Sequence, residues 1–285
     1  MQNADLPLFR QLSDNSGHYR DPLTAIDWAQ LDTRSFWLPE PALSLYGLPE
    51  YATLAPDIRQ RLSQYEFINV MHAGLWLESL FLQRLSRRLT PALPRAEYEY
   101  FLHELREETG HSLMFLRAIE SSGLPLPRHA WRAPRLADFL ARHAPASSAL
   151  FWLATVIAED IPDKFNRHLR NHADSVNPVV GQICTLHVID EARHIAAARS
   201  KLDAALGRAS PLQRALLNPL MNLLLRQFVD VFYLPPARFY ELAGLTRGKW
   251  WRRLAAHNAV HRAFVNQRLA ATLRVLEGYN LKPEI

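Results

Sequence analysis

A chain of 285 residues of which 48% are apolar is long enough to bury a substantial core, which excludes a disordered protein. Its single cysteine, Cys184, excludes a disulfide scaffold and a cysteine-based zinc site, and suits a cytoplasmic protein. The formal charge of +5 comes mostly from arginines scattered along the chain, a solvated surface rather than a nucleic-acid footprint.

No basic start followed by an apolar run opens the sequence, and no apolar run approaches the roughly 20 residues of a membrane span, so neither a leader nor a membrane partner is expected. Strand-like alternation is nearly absent. Apolar residues recur at i, i+3, i+4 and i+7, which predicts an all-α fold. The first 55 residues are punctuated by prolines and read as irregular, with a short helix near Thr24–Leu31. Long helices are predicted over Pro56–Leu89, Arg95–Ser122, Ser147–Ala173 and Asn177–Gly207, with a short one over Arg135–His143. Further helices are predicted over Pro211–Tyr233, Pro236–Ala243 and Lys249–Gly278. The basic-aromatic cluster Arg247-Gly248-Lys249-Trp250-Trp251-Arg252-Arg253 opens the last of them, and no nucleic-acid reader motif surrounds it. No linker interrupts the chain, so residues 1–285 read as one domain: a bundle over about 56–207 and C-terminal helices over 208–285.

A weak internal repeat carries the chemistry. The second long helix contains Glu107-Glu108-Thr109-Gly110-His111 and the fourth contains Asp190-Glu191-Ala192-Arg193-His194. These are the only two places where an acid stands three residues before a histidine, and each has a second acid just before it. Residues i and i+3 share a helix face, so a carboxylate and an imidazole there can grip one metal ion. Two such helices face to face can hold two ions, with a further carboxylate from each of two neighbouring helices. Glu78 and Glu159, each a lone acid in an apolar stretch of the first and third long helices, are the candidates, and the bridging positions are assigned to them. Glu107 and Asp190 point roughly 100° away from the motif glutamates. They are therefore expected to orient His194 and His111 respectively, with Arg193 pairing one of them. His187 lies four residues before Glu191, on the same face as Glu191 and His194, and is either a third imidazole ligand or an ordinary helix histidine. His72, His103, His257 and His261 lack a glutamate at ligand spacing and are expected to be structural, and Cys184 a small packed residue. Trp76, Phe81, Phe115, Trp152 and Thr155 lie within two turns of the ligands and are candidates for a substrate pocket.

Four carboxylates with two or three imidazoles suit iron or manganese. The order of Glu78, Glu108, His111, Glu159, His187, Glu191 and His194 resembles the di-iron N-oxygenases typified by p-aminobenzoate N-oxygenase, over about residues 60–205. The extra histidine four residues before the last glutamate is the specific part of that likeness. The resemblance implies a ferritin-like four-helix di-iron bundle with additional N- and C-terminal helices. It implies all seven residues as ligands, His187 included, to two iron ions. It implies a reaction in which O2 is the co-substrate and a primary amine is taken to the hydroxylamine, nitroso or nitro level. The substrate class is an aryl amine or an amino-acid-derived amine, free or tethered to a carrier protein, in small-molecule biosynthesis. Electrons would come from an external reductase, since no flavin or iron–sulfur motif is present, and a homodimer is expected. The competing readings are a di-iron C–H hydroxylase or desaturase, and a ferritin-like iron or peroxide-handling protein.

Overall fold

Prolines, caps and one asparagine set the helix ends in the computed structural model, which describes residues 6–284. The described elements are α1 (Leu6–Ser16), α2 (Pro22–Ala25), α3 (Pro49–Ala52), α4 (Pro56–Ser86), α5 (Arg95–Ser121), α6 (Arg135–His143), α7 (Ala149–Arg170), α8 (Pro178–Arg208), α9 (Pro211–Tyr233), α10 (Ala237–Leu242), α11 (Gly248–His257) and α12 (Ala259–Gly278). No strand occurs among the described residues, and no described helix is long and apolar enough to cross a membrane. Pro56 and Pro178 occupy the first turns of α4 and α8, where a missing N–H costs nothing. The Ser148 hydroxyl accepts from Phe151 N at the start of α7, and Asn177 accepts from Val179 N at the start of α8. Ser210 and Gln213 form a reciprocal capping box on α9.

The four long helices α4, α5, α7 and α8 form the bundle. Seven or eight residues join α4 to α5 and α7 to α8, so each pair packs as antiparallel neighbours. α4 is buried almost all the way round between Leu62 and Met71, because α9 and α10 cover the sides that α5 leaves open. α12 packs on α7, and α1 and α2 pack on α5.

The structure differs from the sequence expectations at both ends. The N-terminal segment holds α1 and α2, with single 3-10 turns at Trp28–Gln30 and Glu40–Ala42, instead of one helix near Thr24–Leu31. Phe9, Leu12, Ser13 and Ser16 form the buried face of α1 at i, i+3, i+4 and i+7, and it is the docking on α5 that makes so short a helix stable. The predicted C-terminal helix is two helices. Asn258 breaks it: its side chain accepts from Val260 N to cap α12 and donates to the carbonyls of Ser44 and Tyr46.

Candidate metal centre

Each long helix of the bundle delivers part of one buried cluster. Glu78 comes from α4, Glu108 and His111 from α5, Glu159 from α7, and His187, Glu191 and His194 from α8. All seven are buried. Their donor atoms fall into three overlapping groups able to hold an ion: Glu78, His111, His187 and Glu191; Glu108, His111 and His194; Glu159, Glu191 and His194.

The distances revise the role expected for the lone acids. Glu108 turns Oε2 to His111 Nδ1 at 3.4 Å and Oε1 to His194 Nδ1 at 3.2 Å. Glu191 turns Oε1 to His111 Nδ1 at 3.5 Å and to His187 Nε2 at 3.3 Å, and Oε2 to His194 Nδ1 at 3.6 Å. The motif glutamates thus span the cluster. Glu78 stands at one end, 3.5 Å from His187 Nε2 and 4.0 Å from His111 Nδ1. Glu159 stands at the other end with His194. A helix carrying both Glu and His projects them into the middle of the bundle, so its carboxylate reaches both ends, while a lone acid reaches one.

The far nitrogens of two imidazoles meet carboxylates across the α5–α8 contact. His111 Nε2 lies 3.2 Å from Asp190 Oδ2, and His194 Nε2 lies 3.0 Å from Glu107 Oε2. Arg193 ties the arrangement together, with Nη2 2.9 Å from Glu107 Oε1 and a second bond to Asp190. An imidazole that donates its far N–H to a carboxylate presents its near nitrogen as a lone pair. The third imidazole is held differently: His187 Nδ1 faces the Asn166 amide at 3.0 Å. Asn166 lies seven residues after Glu159, two turns along one face of α7, a spacing that could have flagged it.

Electrostatics separates the members. Burial pushes the Glu78 and Glu159 carboxyls well above the usual range, and their acidic neighbours add to it: Glu108 and Glu191 beside Glu78, Glu191 and Glu108 beside Glu159. Burial also raises Glu191, but the imidazoles of His187 and His194 outweigh it and hold the carboxyl at about 2. Burial disfavours the charged form of His111, yet the hydrogen bond to Asp190 and the nearby Glu108 carboxylate raise it to about 9, so an ion held at Nδ1 must displace a proton from it. Burial alone dominates at His187 and lowers it to about 4, so this imidazole is neutral.

Whether the residues fit a metal pair is answered by the unpartnered atoms. His111 Nδ1, His187 Nε2, His194 Nδ1, both oxygens of Glu108 and of Glu191, Glu78 Oε2 and Glu159 Oε1 are all buried without a hydrogen-bond partner. Leaving so many polar atoms bare costs roughly 1–3 kcal/mol each. All of them point inward to the same place, and they are hard or borderline donors. The set fits two divalent ions.

An apolar cavity of about 30 Å³ lies between α4 and α7, lined among others by Leu77, Phe81, Arg84, Thr155, Ala158 and Phe228. Leu77 and Ala158 are the chain neighbours of Glu78 and Glu159, but those carboxylates themselves do not line it. Phe81 and Thr155 were expected in a pocket and line this one. Three other candidates do not. Trp76, two residues before Glu78, is buried beside Trp131 and Phe228 and donates Nε1 to Asp138 at 2.9 Å. Trp152 lies seven residues, roughly 10 Å, along α7 from Glu159, under the Arg88 guanidinium at 4.9 Å. Phe115 backs the imidazoles, its ring centroid 5.3 Å from that of His187. The remaining histidines stand apart: His72 stacks on Trp131, His257 Nδ1 meets the Arg253 carbonyl and His261 Nε2 the Tyr233 carbonyl. In the basic-aromatic segment, Arg252 pairs with Asp230 and Arg247 stacks on Trp250.

The model of the p-aminobenzoate N-oxygenase AurF family matches residues 7–279, nearly the whole chain. The chain belongs to the p-aminobenzoate N-oxygenase family. As a member it is a di-iron oxidoreductase, in keeping with the buried carboxylate–histidine cluster. An uncharacterized protein of Mycobacterium tuberculosis is 27% identical over 232 residues, 78% of this chain and 67% of its own length. An uncharacterized protein of Mycobacterium bovis matches with the same identity and coverage. Among solved structures, a variant of R2-like ligand-binding oxidase with an aerobically reconstituted Mn/Fe cofactor superposes with a TM-score of 0.56 at 14% identity, covering 95% of this chain and 93% of that one. Another variant, with an Fe/Fe cofactor, gives 0.53 at 16%, covering 94% and 92%. These likenesses establish the ferritin-like fold for this member of the N-oxygenase family.

Proposed function

We propose that this chain is an N-oxygenase that uses O2 to oxidise a primary amine, with Glu78, Glu108, His111, Glu159, His187, Glu191 and His194 holding two iron ions. The observation that carries the reading is the third imidazole: His187 Nε2 lies bare beside Glu78 and Glu191, in a chain whose family is the N-oxygenases. A bound iron pair would pass electrons from the reductase to O2 and so supply an electrophilic oxygen for the amine lone pair to attack.

The chain's own residues do the rest. Glu108 and Glu191 span the two ends and fix their separation. Asp190 and Glu107 hold the far protons of His111 and His194, which keeps the near nitrogens free. Leu77, Phe81, Ala158 and Phe228 keep water from the Glu78–Glu159 side and receive the apolar body of the amine. Thr155 spends its hydroxyl proton on the Phe151 carbonyl, so it offers an aryl or alkyl group no competing hydroxyl donor. The cavity is about the size of one water molecule, so a substrate must displace a wall to enter. The wall held least by apolar burial is α6, of which only Ala137 is buried. The substrate class is an aryl or amino-acid-derived amine, free or carrier-tethered, with electrons from a separate reductase and a homodimer as the working form.

The test is anaerobic loading with Fe(II), exposure to O2 with panels of aryl amines, aminoacyl carriers and alkyl substrates, and mass spectrometry of products. A gain of oxygen on nitrogen with about two irons per chain is the expected result. Oxygen gain or desaturation on alkyl substrates alone would replace this reading with the hydroxylase or desaturase one.

A further inference from the structure

The three imidazoles of the cluster do not have equivalent partners. Asp190 and Glu107 are carboxylates, and an ionised carboxylate only accepts. Each therefore fixes the proton of its imidazole on the far nitrogen. The partner of His187 is a side-chain amide, which carries a donor on one side and an acceptor on the other. In the structure Asn166 turns Nδ2 to His187 Nδ1 at 3.0 Å, and its Oδ1 accepts from Cys184 Sγ at 3.6 Å. With Nδ2–H donating, Nδ1 is the acceptor. The one proton of the neutral ring then sits on Nε2, which lies 3.5 and 3.3 Å from Glu78 Oε1 and Glu191 Oε1 without a hydrogen bond to either. In that state Nε2 has no lone pair for a metal. Rotating the amide by 180° brings Oδ1 to Nδ1 and Nδ2 to the Cys184 sulfur, a weak acceptor. Nδ1 then carries the proton and Nε2 is free. Asn166 and Cys184 are both buried, so no water competes for either arrangement.

We propose that Asn166 is the positioning residue for His187, its amide holding the imidazole in a metal-binding tautomer in one orientation and a non-binding tautomer in the other. The exchange is a tautomerisation: one proton leaves Nε2, one arrives at Nδ1, and the charge is unchanged. His187 is thereby the one imidazole of the three whose ligation is reversible without breaking an ion pair. The end of the cluster that it shares with Glu78 and His111 can gain or lose one imidazole donor, while His194 at the Glu159 end is held by Glu107. The inference rests on the proposed ligand role of His187.

The test uses the full chain labelled with 15N-histidine, without metal and loaded with Zn(II), a diamagnetic probe, and reads each ring's tautomer from long-range 1H–15N spectra. His187→Gln assigns the His187 signals, and His111 and His194 report in the same spectra that the fold is intact. Wild-type protein is expected to show His187 protonated on Nε2 without metal and on Nδ1 with Zn(II). Asn166→Asp, which can only accept, should show Nδ1–H in both states. Asn166→Leu, which can do neither, should weaken binding of one of the two Zn(II) ions about 10-fold and leave the other unchanged. If wild-type His187 does not respond to Zn(II), or His187→Gln binds both ions as tightly as wild type, the ligand reading itself falls. If wild-type His187 responds but both Asn166 variants match wild type in tautomer and affinity, the Asn166 inference alone is overturned.

Discussion

Single side chains in this protein are set by what accepts their protons. The pairs His111–Asp190 and His194–Glu107 cross the α5–α8 contact, and Arg193 neutralises both acids. Asp190→Asn or Glu107→Gln would keep the shape but weaken the acceptor. Either is expected to lower iron affinity 10–100-fold, measured by equilibrium dialysis of Fe(II) under anaerobic conditions. Glu66 shows the same physics far from the cluster. It is buried, and although Ser44 N and Ser44 Oγ donate to it, burial dominates and raises its carboxyl to about 8. A carboxyl raised in the folded state favours folding fully below its unfolded value of about 4.3. That contribution is lost as the pH climbs through about 8, because the unfolded chain ionises first. Wild-type stability should therefore fall by roughly 3–4 kcal/mol from pH 5 to pH 8 on account of this group. Glu66→Gln keeps an acceptor for Ser44 without the charge and should remove most of that fall, as read by urea melts at the two pH values. Equal slopes for the two proteins would show that Glu66 is not the cause.

At the scale of helices, what was legible in the sequence is what repeats. Two acid-Glu-x-x-His motifs and two lone acids in apolar stretches located the bundle, because a carboxylate inside an apolar helix needs a reason. The four long helices of the bundle agree with prediction within about three residues at each end because proline, glycine and cap residues are local signals. What was not legible depends on contacts distant in sequence. The break at Asn258 is held by Ser44 and Tyr46, more than two hundred residues away, and α1 is held by its docking on α5. Which glutamates span the cluster and which stand at its ends also escaped the sequence, since it depends on how far each helix lies from the bundle axis. Close helix approach is a further case. A Cβ on Gly74 of α4 would come within 2.6 Å of the Phe115 ring on α5, and Phe115 backs His187. Gly74→Ala gains ~1 kcal/mol of helix propensity. It loses ~1–3 kcal/mol to overpacking, because the ring is wedged against an imidazole and cannot retreat. Net destabilisation is expected in thermal melts, and Phe115→Leu in the same chain should recover most of it. Recovery by Phe115→Leu is the decisive arm: without it the cost of Gly74→Ala lies elsewhere than in the Phe115 contact.

For the molecule as a whole, the cluster is both the site and the weakest part of the interior. Four helices each bring a carboxylate to one point, and the facing atoms have no partner within the protein. Without ions the bundle is held by its apolar walls, by α9 against α4 and α7, and by α12 against α7. Two ions convert the bare atoms into ligands of α4, α5, α7 and α8 at once, so binding energy becomes folding energy. Free metal at 100 times its dissociation constant adds about 2.7 kcal/mol for one site. At roughly 2–4 °C per kcal/mol for a chain of this size, that is about 5–10 °C in Tm for each ion. The expected outcome is a Tm that falls on treatment with a chelator and climbs with free Fe(II) or Zn(II) until two ions per chain are bound. Glu108→Gln removes one carboxylate oxygen from a residue that faces both ends, and should flatten that dependence while leaving a cooperative melt, because the walls are untouched. A wild-type Tm indifferent to metal would mean that these buried carboxylates are satisfied by protons alone, and the di-iron reading of this site would fail with it.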